Sequence, residues 1–145
     1  MKRPLEWYKL RPEAKAPTKA YGDEDACYDL YSAADLVIPS GGRKFVDCGI
    51  GFNLSEDLEI VVRGRSSLAL KHGVWCHVGT VDSGWRDAAG PILINHGDES
   101  FLISKGDKIC QIKVQEVKHF DLVEVSSEKQ WPSARGNKGF GSSGK

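Results

Sequence analysis

The heptapeptide Gly79-Thr80-Val81-Asp82-Ser83-Gly84-Trp85 sets one carboxylate between glycines and an aromatic ring. Glycine admits positive φ and the close approach of a ligand to the main chain. A ring at the end of such a turn can stack on a flat ligand or wall off a sugar. A carboxylate held there is placed to take a proton from water. Asp and Gly also share ordinary hairpin turns. The peptide alone therefore permits a plain β-turn, and the rest of the chain has to decide.

Other stretches suit anions. Arg65-Ser66-Ser67 opens a short helix pattern, Ser66 to Gly73, with hydroxyls at its start, helix formers inside and a glycine to stop it. First-turn N–H groups lack internal partners and favour an anion, which a flanking Arg and Ser would hold by charge-assisted bonds. Near the C-terminus, Arg135-Gly136-Asn137-Lys138-Gly139-Phe140-Gly141-Ser142-Ser143-Gly144 joins glycines, hydroxyls and two cations to a single ring. Nothing local buries Phe140, and a mobile tail carrying one phenyl suits closure over a flat ligand. The plain alternatives are a solvated Arg at a capped helix and a disordered glycine-rich terminus. Gly106-Asp107-Lys108-Ile109-Cys110-Gln111 is a turn entering a strand, with Gln111 on its polar side. His72, His77, His96 and His119 lack metal-ligand spacing. Ser66 and Ser67 lack the Gly-x-Ser-x-Gly elbow of acyl transfer.

The elements that must position these groups read as short strands. Val46, Cys48, Ile50, Phe52 and Leu54 alternate with polar residues and glycine, the period of a half-buried strand. Leu58 to Val62, Pro91 to Ile94 and Phe101 to Ile103 read as further strands, and Ile109 to Val117 alternates again with Cys110, Ile112 and Val114 on one face. Pro39-Ser40-Gly41-Gly42 is a turn, and residues 1–24, with three prolines, read as an extended arm or edge strand. Short strands at this density predict an antiparallel sandwich, jelly roll or barrel with one short helix. Trp7, Trp75 and Trp131 are scattered and read as packing or interface residues.

With 145 residues the chain is long enough for one domain with a real core, expected over 1–128, followed by the glycine-rich tail 129–145. Twenty basic residues balance twenty acidic ones, which argues against gripping nucleic acid by bulk charge. The four cysteines contain no Cys-x-x-Cys, and reduced core thiols are expected in a chain of this size. No stretch reaches the length of a signal-peptide core or a transmembrane span, so a cytoplasmic or nuclear protein, not secreted and away from membranes, is expected.

In order, these pieces resemble the five motifs of the trimeric deoxyuridine triphosphatase (dUTPase) family. Ala26-Cys27-Tyr28-Asp29-Leu30-Tyr31-Ser32-Ala33 is similar to the first and Gly64-Arg65-Ser66-Ser67-Leu68-Ala69 to the second. Gly79 through Arg86 resembles the third, Gly106 through Ile112 the fourth and Arg135 through Gly144 the fifth. The resemblance implies an all-β jelly-roll or distorted-barrel subunit in a homotrimer with shared active sites. It implies Mg²⁺-dependent hydrolysis of dUTP to dUMP and pyrophosphate. By the same likeness, Asp82 would activate the water and Asp29 would hold the hydrated Mg²⁺. Backbone around Val78, Gly79 and Val81 would read uracil, and Trp85 would floor the deoxyribose. Arg65, Ser66, Ser67 and Gln111 would contact phosphates. Arg135, Gly141, Ser142 and Ser143 would bind the terminal phosphate as Phe140 stacks on uracil. Cys27, Gly64, Trp85 and Asp87-Ala88 stand where the family usually has Gly, Pro, Tyr and Gly-Glu.

Two alternatives remain in view. A catalytically lost relative would keep the fold and serve as a binding or signalling module. The sister family dCTP deaminase resembles the second and third motifs equally well. That family carries an Arg and a catalytic Glu where this chain has Leu70 and Ile92.

Overall fold

Among the described residues, runs of β-branched and apolar residues punctuated by Gly, Pro and Asp fold into eleven short antiparallel strands and one α-helix. The computed structural model describes residues 1–126 and 131–144. The strands are β1 (Glu6–Lys9), β2 (Tyr28–Tyr31), β3 (Leu36–Ile38), β4 (Arg43–Phe45), β5 (Ile50–Asn53) and β6 (Leu58–Arg63). After α1 (Ser66–His72) come β7 (Val74–His77), β8 (Gly79–Val81), β9 (Ile92–Asn95), β10 (Phe101–Ile103) and β11 (Lys108–Glu116). The largest sheet runs β2-β11-β6-β8, a second runs β4-β9-β7, and the pairs β1-β5 and β10-β3 complete the layers. Leu30, Ile38, Phe52, Ile60, Leu93, Ile109 and Ile112 fill one core between them. This is the β-rich jelly-roll class that the family resemblance implies, one of the three architectures that the strand density allows.

Two local expectations are corrected. The segment from Val46 to Leu54 keeps its alternation as burial, since all five apolar residues lie in the core, but only Ile50–Asn53 is strand. Gly49 adopts φ 70°, and its N–H is taken by the Asp47 carboxylate at 2.6 Å, which breaks the ladder. The helix stops at Gly73 in the left-handed conformation as predicted, but its N-cap is Arg65, with no side-chain cap bond, rather than a hydroxyl. Trp7, Trp75 and Trp131, read as packing or interface residues, lie at the surface of the single chain, outside its core.

The N-terminal arm does form an edge strand, with Tyr8 directly opposite Gly51. A Cβ on Gly51 would meet the Tyr8 ring at 2.5 Å, so glycine is what lets that ring lie down on β5. Among the described residues no helix is long and apolar enough to cross a membrane. The expected boundary between domain and tail, at 128 and 129, lies outside the described residues, as does Lys145.

Candidate active site

β8 is an edge of the four-stranded sheet, paired only with β6 through Val62↔Gly79, Val61↔Thr80 and Ile60↔Val81. Its outward N–H and C=O groups are therefore not taken by a sheet neighbour and can read the edge of a planar ligand. Asp82 follows β8 directly, and the Trp85 N–H closes the turn on the Asp82 carbonyl at 3.0 Å. The Trp85 indole donates to the Ala88 carbonyl at 3.3 Å, which fixes a ring that is half exposed. Gly79, Val81, Asp82 and Trp85 line a cleft of about 370 Å³ together with Phe45, His77 and Ile92. Asp82 stands exposed at its lip, so the carboxylate is not enclosed in an apolar turn as its sequence neighbours suggest. Val78 precedes the strand with its side chain exposed and does not line the cleft.

The exit of the turn is tied down from a distance. The Tyr8 hydroxyl donates to the Arg86 carbonyl at 2.9 Å, and the Arg86 guanidinium donates to the Ser83 carbonyl at 2.5 Å. The Arg86 bond lies within the turn itself, whereas the role of Tyr8 is not visible in local sequence, because β1 lies far from the turn in the chain.

A second cleft, about 420 Å³, gathers Asp29, Arg65, Ser66, Ser67 and Gln111 with Tyr21 and Asp25. β2 and β11 place Asp29 directly opposite Gln111, so their side chains share one face of the sheet. Gln111 donates to the Gly64 carbonyl at 2.8 Å, and Arg65 donates to the Lys108 carbonyl at 3.1 Å. These bonds hold the loop before α1 against β11. Lys108, given no role by sequence reasoning, stands 3.1 Å from the Asp29 carboxylate, and Arg65 stands 3.9 Å from its other oxygen. Among the described residues no three His, Cys, Asp or Glu side chains gather to hold a metal. A lone Asp29, with Asp25 nearby, fits a strongly hydrated cation that gains its remaining ligands from phosphate, the usual habit of Mg²⁺.

The structure brings the predicted residues together in separate groups. The two clefts share no lining residue, and β2 and β8 are opposite edges of one sheet. Three strand spacings, about 14 Å, lie between those edges. Arg135, Phe140, Gly141, Ser142 and Ser143 are exposed and line neither cleft. Their tail is folded into small turns, with Arg135 Nε donating to the Lys138 carbonyl at 2.8 Å. Where a deaminase would need an acid, Ile92 offers hydrocarbon to the Asp82 cleft, and Leu70 points away from the body of the chain. All four cysteines are free, with Cys48 and Cys110 buried. Burial pushes the Cys76 thiol up to about 11.

Comparison with known proteins accords with this arrangement. The family model for dUTPase matches residues 12–144. Curated relatives named deoxyuridine 5'-triphosphate nucleotidohydrolase include one from Clostridium tetani, 41% identical over 138 residues and covering 94% of this chain and 93% of its own. One from Wolinella succinogenes is 44% identical over 140 residues, covering 94% and 91%. In fold, the chain is similar to the Staphylococcus bacteriophage 80alpha dUTPase solved with dUpNHpp, with TM-score 0.90, 23% identity and coverage of 99% and 100%. A mutant dUTPase from phage phi11 of S. aureus, described with a structural Mg(II) ion, gives TM-score 0.81 at 18% identity and coverage of 86% and 98%.

Proposed function

The chain belongs to the dUTPase family, and from that premise we propose that it hydrolyses dUTP to dUMP and pyrophosphate. The observation that carries the reading is the junction where edge strand β8 ends in Asp82. Main-chain groups able to read a pyrimidine edge lie one residue from a carboxylate able to take a proton from water. The fixed Trp85 ring offers an apolar floor for a deoxyribose. Arg65, Ser66, Ser67 and Gln111 supply donors for a polyphosphate, and the tail contributes Arg135, Ser142, Ser143 and the Phe140 ring. Attack by the activated water then breaks a phosphoanhydride bond, a reaction governed by positioning and charge neutralisation.

Asp29 would hold hydrated Mg²⁺. When bound, that ion reduces repulsion between the phosphates and the incoming oxygen. The separation of the Asp82 and Asp29 clefts favours a homotrimer in which each site takes its parts from different copies. The family's work would then be sanitation of the dUTP pool and supply of dUMP in the cytoplasm or nucleus, where free cysteines persist.

A panel of dUTP, dCTP, dTTP and UTP, with and without Mg²⁺, tests the reading by release of pyrophosphate against release of ammonia. Pyrophosphate from dUTP alone, dependent on Mg²⁺, is the expected outcome. Ammonia from dCTP would move the chain to the deaminases, and binding of dUTP without turnover would make it a binding module.

A further inference from the structure

β11 begins with a bulge. Gln111 pairs with Asp29 and Cys110 with Leu30, so a regular ladder would next set Ile109 opposite Tyr31 and turn Lys108 toward the core. Instead Lys108 is the partner of Tyr31, and Ile109 is the extra residue. Ile109 and Cys110 are both buried in consequence, while Lys108 joins the face of Asp29, Tyr31 and Gln111. Bulges of this kind re-aim a side chain beside an active site and are built-in features rather than faults.

Among the described residues the re-aimed ammonium has one acidic partner in reach. Lys108 Nζ lies 3.1 Å from Asp29 Oδ2, and Arg65 Nε lies 3.9 Å from Oδ1. The Asp29 side chain is 20% exposed, so its charge is better compensated than left alone. Arg65 in turn is anchored on the Lys108 carbonyl.

We propose that Lys108 is a positioning residue that occupies the metal's seat on Asp29 until nucleotide arrives. The inference rests on the reading of Asp29 as the carboxylate that holds hydrated Mg²⁺. A cation coming alone must displace an ammonium from the Asp29 carboxylate and gains little else. A cation coming with a triphosphate brings its own oxygen ligands, and the released ammonium then faces the added negative charge. Lys108 thereby makes metal occupancy depend on nucleotide.

Mn²⁺ titration of the full-length, nucleotide-free protein, followed by electron paramagnetic resonance of the free ion, tests this without any turnover. Lys108→Met should bind Mn²⁺ about tenfold more tightly than the native chain, the scale of one unit charge a few ångströms away in partly screened surroundings. Lys108→Arg, which keeps the charge, should resemble the native chain, and Lys108→Gln should repeat the gain in a second, polar side chain. Adding Asp29→Asn to Lys108→Met should abolish the gain. Equal Mn²⁺ affinity in native, Lys108→Met and Lys108→Gln proteins of native circular dichroism would overturn the proposal. If Asp29→Asn still weakens binding of Mn²⁺ with dUpNHpp in that event, the metal assignment stands and only the role of Lys108 falls. A gain that survives Asp29→Asn would place the metal elsewhere and end both.

Discussion

In the proposed reaction Asp82 would act as the base from an exposed position at the end of an edge strand. Its effectiveness as a base then depends on where the neighbouring main chain and the phosphate-binding groups hold the substrate, not on enclosure. Asp82→Asn keeps the shape of the turn, including the carbonyl that accepts the Trp85 N–H, and removes only the proton acceptor. Turnover should fall by roughly 10²–10⁴, the usual worth of a positioned general base. Affinity for dUpNHpp, measured by calorimetry, should stay near the native value. A variant with near-native kcat would show that the water is activated by another group.

The turn that presents Asp82 depends on an element distant in sequence. β1 lays Tyr8 over Gly51, and the hydroxyl reaches the Arg86 carbonyl just past Trp85. Tyr8→Phe leaves the ring packing and deletes that one bond, so kcat should drop about fivefold, the scale of one hydrogen bond, with a smaller change in KM. Native kcat in Tyr8→Phe would reduce β1 to an ordinary edge strand. This tie shows where sequence stops being legible. The burial of Val46, Cys48, Ile50, Phe52 and Leu54, the stop of α1 at Gly73 and the strand β11 all follow from local period and punctuation. The break at Gly49 does not, because a side-chain bond from Asp47 overrides an unbroken alternation. The bulge at Lys108 leaves a faint local mark, the apolar doublet Ile109-Cys110 within a period-two strand. Tyr8 and Lys108 find their partners through long-range pairing, which spacing along the chain does not encode.

At the scale of the whole molecule, the sequence groups one set of reactive residues and the fold divides it. Asp82 follows β8, Asp29 lies on β2, and these strands are the two edges of one sheet. A triphosphate nucleotide held by both clefts therefore needs the Asp82 edge of one copy beside the Asp29 edge of another, which the proposed three-fold ring would supply at every interface. That arrangement has a consequence that a self-contained subunit lacks. Asp82→Asn and Asp29→Asn should each be nearly inactive as pure preparations. Unfolding them together in equal amounts and refolding the mixture should restore activity, because some interfaces then pair an intact Asp82 with an intact Asp29. Random assortment makes that pairing at about a quarter of the sites of a cyclic trimer. Pyrophosphate release at about a quarter of the native rate is the expected result, with separately refolded and then mixed proteins as the control. Absence of any recovery from hybrids shown to form by mass spectrometry would mean that one copy folds both clefts around the same nucleotide, against the separation set by the sheet.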